Sequence, residues 1–235
     1  MSNLKFQKAS LGIRHARSFR IPEIIGEITD KITSDANSPF YRDIYTSTRP
    51  LIDIDGDLKG RILVSEKIEH SLTIDTDNVI ITVSEDDTDT AISTIKNKYF
   101  DYISKEIFSR NAIVNINRIG VIFEYKLEDT KTIPNNIVNT VTNGIYKEVE
   151  GFNLKFSEKL LDPLSFTNKD YYDYQNHIIS IDKTEKDLFI RYDFQIYCRP
   201  EVERLTDLDV KSFLDSGKSL ITSKLVEALK SYGLS

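Results

Sequence analysis

Apolar positions recur along this chain with two periods, and the switches between them mark out its elements. From Leu4 to Arg20 the segment reads as extended, with Phe6, Leu11 and Ile13 irregularly spaced. Ile21, Ile24, Ile25, Ile28 and Ile32 then fall at i, i+3, i+4, i+7 spacing, which predicts a helix over 22–33. Pro22 suits its first turn, where the missing N–H has no partner to lose. Ser34-Asp35-Ala36-Asn37-Ser38-Pro39 breaks the pattern, and residues 40–50 fit neither period. Leu51–Ile54 leads into the turn signal Asp55-Gly56-Asp57, and β character resumes from Arg61 to Val64. Residues 67–76 and 78–84 predict a hairpin. From Thr88 to Arg110 the period is helical, with Ile92, Ile95, Tyr99, Ile103 and Ile107 on one face and Phe100 and Phe108 beside it.

The second half begins with a long strand, Ala112–Leu127. Val114 and Ile116 sit on one parity, and Ile119, Val121, Phe123 and Tyr125 on the other, so a bulge is predicted around Asn117-Arg118. Ile133-Pro134 opens another helix through Ile137, Val141 and Ile145. Phe152, Leu154 and Phe156 alternate as a short strand, and a loop holds Asp162-Pro163. Residues 171–182 and 187–198 form the clearest hairpin. In its second arm Leu188 to Cys198 alternate without error, as a strand with one wet face should. Pro200 is expected to end it. A last helix is predicted over 207–232, with Gly233 past its end.

The element order is the same in both halves: strand, Ile-Pro helix, strands, hairpin, long helix. Ile21-Pro22 and Ile133-Pro134 lie 112 residues apart, and Ile74-Asp75 and Ile181-Asp182 lie 107 apart. The expected fold class is therefore α+β, with mainly antiparallel sheets, helices on one face, and two pseudo-repeated β-α-β(3-4)-α halves of helix-grip type. The halves are 1–111 and 112–235, as two units or one intertwined domain. At fold level this is similar to the half-repeat of the TATA-box-binding protein, an analogy that transfers no function.

Composition narrows the function classes. The 235 residues are 40% hydrophobic with net charge −6, unlike a disordered chain. No apolar run is long enough for a membrane helix, and the first residues lack the apolar core of a secretory signal, so a cytoplasmic location without membrane contact is expected. Charge is uneven. Residues 1–20 hold Lys5, Lys8, Arg14, Arg17 and Arg20 without an acid, a segment of +5 before a body of −11. Such a segment fits a polyanion or nucleic-acid contact, a solvated strand, or a sheet edge guarded by charge. The acidic body argues against a nucleic-acid module.

Local chemistry is sparse. Asp53-Ile54-Asp55-Gly56-Asp57 has alternating carboxylates, but a calcium loop needs Gly sixth and Glu twelfth, where Leu58 and Val64 stand; a turn is expected. Glu85-Asp86-Asp87-Thr88-Asp89 reads as helix-capping acids. His15, His70 and His177 have no second ligand at metal spacing. The Tyr-rich run from Tyr171 reads as sheet surface or pocket lining. Cys198, the single cysteine, continues an apolar parity as a small hydrophobe. Phosphate loops, nucleophile elbows and dinucleotide fingerprints are missing, so no cofactor is expected.

Arg118 and Gly120 share one face of the long strand, and a strand glycine marks a bulge or close approach. Arg118-Ile119-Gly120-Val121, after Tyr99-Phe100 on the preceding helix, resembles an uncharacterised, sporadically distributed prokaryotic family of similar length. The chain departs from that family in lacking a Trp on the helix and in its Phe123-Glu124-Tyr125 continuation. The resemblance implies an accessory role, in mobile-element or defence loci, and no catalytic residues. The sequence thus favours a non-enzymatic interaction or scaffold protein with a protein partner or a second copy of itself. The alternatives are a metal-assisted hydrolase using dispersed Asp and Glu, and nucleic-acid contact through the basic N-terminal strand.

Overall fold

The computed structural model describes residues 4–41, 43, 46–108, 113–127, 132–146, 150–165, 169–184, 187–225 and 227. Its strands are β1 (Leu4–His15), β2 (Thr46–Ile52), β3 (Leu58–Ser65), β4 (His70–Asp75), β5 (Asn78–Val83), β6 (Ile116–Leu127), β7 (Phe152–Leu160), β8 (Tyr172–Lys183) and β9 (Leu188–Val202). They form one nine-stranded sheet in the order β2-β3-β4-β5-β1-β6-β9-β8-β7, antiparallel throughout. The chain is α+β, as its two periods predict. Residues 1–111 supply one side of the sheet and residues 112–235 the other, and the β1–β6 ladder joins them.

The basic first strand is therefore no edge. β1 pairs with β5 and β6 on its two sides, because Ala9, Leu11 and Ile13 are needed in the core, all at 1% exposure or less. The true edges are β2, which carries Pro50, and β7, which carries Lys155, Glu158 and Lys159. Both devices discourage pairing with a further chain.

One face of the sheet is apolar and covered. Helix α1 (Ile21–Ser34) packs on β3 and β4, α2 (Thr88–Thr94) on β1, and α5 (Val210–Leu220) on β6. Gly217 permits the approach of α5. A Cβ there would lie 2.7 Å from Val121 Cγ1. Helix α2 runs through a π-helical turn (Ile95–Phe100) into α3 (Asp101–Glu106). Ile95, Tyr99, Ile103 and Ile107, all buried, advance in steps of four, which overshoot a 3.6-residue turn. The wider π turn keeps them on one face. A second π turn (Ile221–Leu225) follows α5. Helix α4 (Thr132–Val141) adds Ile137 to the core.

Two features of the long strands bear on what the sequence predicts. The bulge near Asn117 is present, since the β6–β9 register shifts between Ile116 and Arg118. Pro200 does not end β9, which continues to Val202. The register there jumps from Arg118↔Tyr197 to Ile116↔Val202, so the proline falls among residues that owe the β6 ladder no N–H. The last helix runs from Val210 into the π turn that ends at Leu225, and Gly233 lies outside the described residues.

Candidate anion-binding face

The sheet face turned away from the core is built from the opposite parity of each strand, and its side chains fall in rows across the ladders. One row runs Asn78, Arg14, Arg118, Tyr197, Tyr174 over β5, β1, β6, β9 and β8. The next runs Ile80, Gly12, Gly120, Gln195, Asn176, and the one beyond it Thr82, Ser10, Ile122, Asp193, Ile178. None of these residues is buried.

At the centre, Arg14 and Arg118 stand directly opposite on the two middle strands. Like charges in that position destabilise a sheet by about 0.2–1 kcal/mol. Arg14 is exposed and has no hydrogen-bond or ion-pair partner among the described residues. Arg118 is held in place. It donates from Nη1 to Tyr197 Oη at 3.4 Å, and its guanidinium lies 5.7 Å from the Tyr197 ring centroid. Tyr197 stacks on Tyr174 with centroids 4.3 Å apart, and Lys159 Nζ caps the far side at 3.8 Å. The Tyr197 hydroxyl donates to Gln195 Oε1 at 2.9 Å, and Gln195 Nε2 donates to Asp193 Oδ2 at 2.6 Å. Burial pushes the Asp193 carboxyl up, while Gln195 and the Arg118 charge pull it back down.

A second basic group on the same face is half neutralised. Lys8 and Arg191 converge on Glu124 at 3.2 and 2.7 Å. Burial would raise the Glu124 carboxyl, but hydrogen bonds from Arg191 and Lys8 outweigh it and hold the group below the usual range. That group keeps one net positive charge, whereas Arg14 and Arg118 have no paired acid among the described residues, and Lys159 extends their row at Tyr174.

Beside that row lies a trough. Gly12 and Gly120 are ladder partners. A Cβ on Gly12 would meet nothing nearer than Gly120 O at 4.0 Å, and one on Gly120 would press on Gln195 Cγ at 3.3 Å. Neither glycine has a positive φ. The fold does not demand glycine at position 12, whereas Gly120 makes room for Gln195, which is fixed between Tyr197 and Asp193; together they leave a floor of backbone bordered by the Gln195 side chain.

The expected basic segment is divided rather than gathered. Lys8 and Arg14 reach the open face. Lys5 borders a polar cleft with His70 and Glu85. Arg17 lies over the Phe19 ring at 5.5 Å, and Arg20 lines a groove between α1 and α3. His15 does not join the arginines; it faces the core at 2% exposure, and burial lowers its pKa. Arg118 and Gly120, singled out only as a strand motif, sit at the centre of the face. The sequence reading missed Arg14–Arg118, Gly12–Gly120 and Tyr174–Tyr197, because a cross-strand pair has no signature within either strand.

The other motifs have structural partners. His70 and His177, 107 residues apart like Ile74-Asp75 and Ile181-Asp182, are both buried. Each has Nδ1 at 2.7 Å from a buried tyrosine hydroxyl, Tyr99 and Tyr192 respectively. Asp53 Oδ1 accepts the N–H groups of Asp55 and Asp57, and Asp87 Oδ1 caps α2 through Thr90 N. Burial pushes the Cys198 thiol up to about 11, which leaves it unreactive. Among the described residues no three His, Cys, Asp or Glu side chains are placed to hold a metal ion. No helix among them is long and apolar enough to cross a membrane.

No protein-family model and no curated protein matches the sequence. Among solved structures, the rolling circle replication initiator protein from Geobacillus stearothermophilus is similar to this chain over 97% of its length and 84% of that protein's, at 7% identity and a TM-score of 0.31.

Proposed function

We propose that this chain is a non-enzymatic binding protein whose open sheet face holds an extended polyanion across Arg14 and Arg118. The observation that carries this reading is the placement of two guanidiniums opposite each other on the central strands, with no acid among the described residues paired to Arg14. That arrangement costs stability until an anion bridges it. Tyr197 holds Arg118 in position beforehand, so less side-chain entropy is lost on binding. The interaction-protein expectation and the polyanion expectation converge here, although the surface is assembled from both halves rather than from the N-terminal segment alone.

The test is a titration with inorganic polyphosphate at low and moderate salt. The expected result is salt-sensitive binding that weakens at least tenfold in Arg14→Ser and again in Arg118→Ser. Binding that is undetectable at low salt, or that both variants retain unchanged, removes the proposal.

A further inference from the structure

We infer that the polyanion is a single-stranded nucleic acid, with its backbone on the Arg14–Arg118 row and a base over the Gly12–Gly120 floor. This rests on the anion-binding reading above and adds a class of ligand to it.

Two observations favour a single strand over a duplex or a plain polyphosphate. First, the middle of the face carries one row of cations with no acid paired to them among the described residues, Arg14 and Arg118, with Lys159 over the Tyr174 ring at its end. A duplex presents two phosphate backbones, but the second cationic cluster on this face, Lys8 with Arg191, shares Glu124 and keeps only one net positive charge. Second, a trough without cations lies directly beside the cationic row, two residues or about 7 Å along the strands, with the Asp193 carboxyl at its far side. Its floor is the peptide backbone of two adjacent glycines. Ile80 borders it on β5, Gln195 on β9, and Ile122 stands further along β6. From β5 to β9 is three strand spacings, about 14 Å between backbones, which leaves room for one planar ring once the side chains project. A flat, partly apolar floor next to an amide and a fixed cation matches a base, with its π-face, polar edge and attached phosphate.

The glycines strengthen the case. Alanine in place of a strand-interior glycine stabilises by roughly 0.5–1 kcal/mol, and position 12 has the space and backbone for it. Holding glycine at position 12 therefore keeps an open floor at the expense of stability. An anion site that needed only charge would gain nothing from that floor.

The experiment measures anisotropy of labelled oligo(dT) and oligo(U) of about 15 nucleotides, a duplex hairpin, and competing inorganic polyphosphate. The proteins are the full chain, Gly12→Val and Arg14→Ser. The wild type is expected to bind both single strands more tightly than the hairpin, with a log K against log salt slope that becomes shallower by about 0.7 in Arg14→Ser. Gly12→Val is expected to lose at least fivefold in oligonucleotide affinity, to keep its polyphosphate affinity, and to melt no lower than wild type. If polyphosphate and oligonucleotide bind equally and Gly12→Val changes neither, the inference fails while the anion site stands. A tighter hairpin also overturns it. If no polyanion binds, both readings fall together.

Discussion

Substituting Gly217 by alanine sets two known effects against each other, and the structure decides the sign. Gly217 lies within α5, where alanine improves helix propensity by about 1 kcal/mol. The new Cβ would lie 2.7 Å from Val121 Cγ1, 3.3 Å from Phe194 Cδ1 and 3.6 Å from Phe123 Cε2. Ordinary carbon contacts begin near 3.5 Å, so the closest must open by almost an ångström. Val121 cannot yield, because it is β-branched, fully buried and on a central strand. Helix α5 must lift instead, loosening the stacked Phe194–Phe213 pair, whose centroids are 4.9 Å apart. Overpacking of this kind costs about 1–3 kcal/mol, and a contact against a rigid neighbour belongs in the upper half of that range. The net is a loss of about 1–2 kcal/mol, or a fall in Tm of about 2–8 °C for a chain of this size. Thermal denaturation followed by circular dichroism measures it. A rise in Tm, as propensity alone requires, would show that α5 does not sit on the sheet at Gly217.

Arg14→Ser should raise Tm by about 1–2 °C while weakening anion binding, because it relieves roughly 0.5 kcal/mol of cross-strand repulsion; a lower Tm would mean that Arg14 has a structural partner. Glu124→Gln should destabilise by about 1–3 kcal/mol and tighten polyphosphate binding, since it frees Lys8 and Arg191 on the open face; unchanged affinity would place those cations away from the ligand. Tyr99→Phe should cost about 1–3 kcal/mol in denaturant unfolding, by leaving the buried His70 Nδ1 unpaired. Acid should destabilise the fold below about pH 6.5. Burial lowers the pKa of His15, His70 and His177, the last to about 4 with Lys224 adding to the effect. The unfolded chain therefore takes up protons first, and each histidine removes up to about 1.4 kcal/mol per pH unit until its folded pKa is reached. His177→Gln should flatten that profile, and stability unchanged from pH 7 to 5 would contradict the burial.

The elements were legible where a single strand or helix decides its own periodicity. Ile92 to Ile107 and Leu188 to Cys198 each carry their whole pattern within one segment, and both lie in the structure as read. The bulge at Asn117 was visible because a change of parity is also local. β2 was not seen whole, because Pro50 and the exposed Arg49 mask strand character that depends on pairing with β3. Pro200 misled because whether an N–H is needed at that position depends on β6, some 80 residues away. The site was illegible for the same reason. Lys5 to Arg20 look like one basic block, but strand alternation and the turn into α1 distribute them over different surfaces. The pairings that matter, Arg14 with Arg118 and Gly12 with Gly120, exist only once two distant strands are in register.

The β1–β6 ladder carries a consequence for anyone dividing this protein at residue 111. Cutting there would strip β1 of one neighbour and expose a twelve-residue row of hydrogen-bonding groups from Leu4 to His15. That row lacks the proline of β2 and is longer than either natural edge, so it is an open template for self-association. Either fragment expressed alone should aggregate or re-pair through this seam. Co-expression of the two fragments should recover a soluble complex, with the seam serving as the interface that reassembles them.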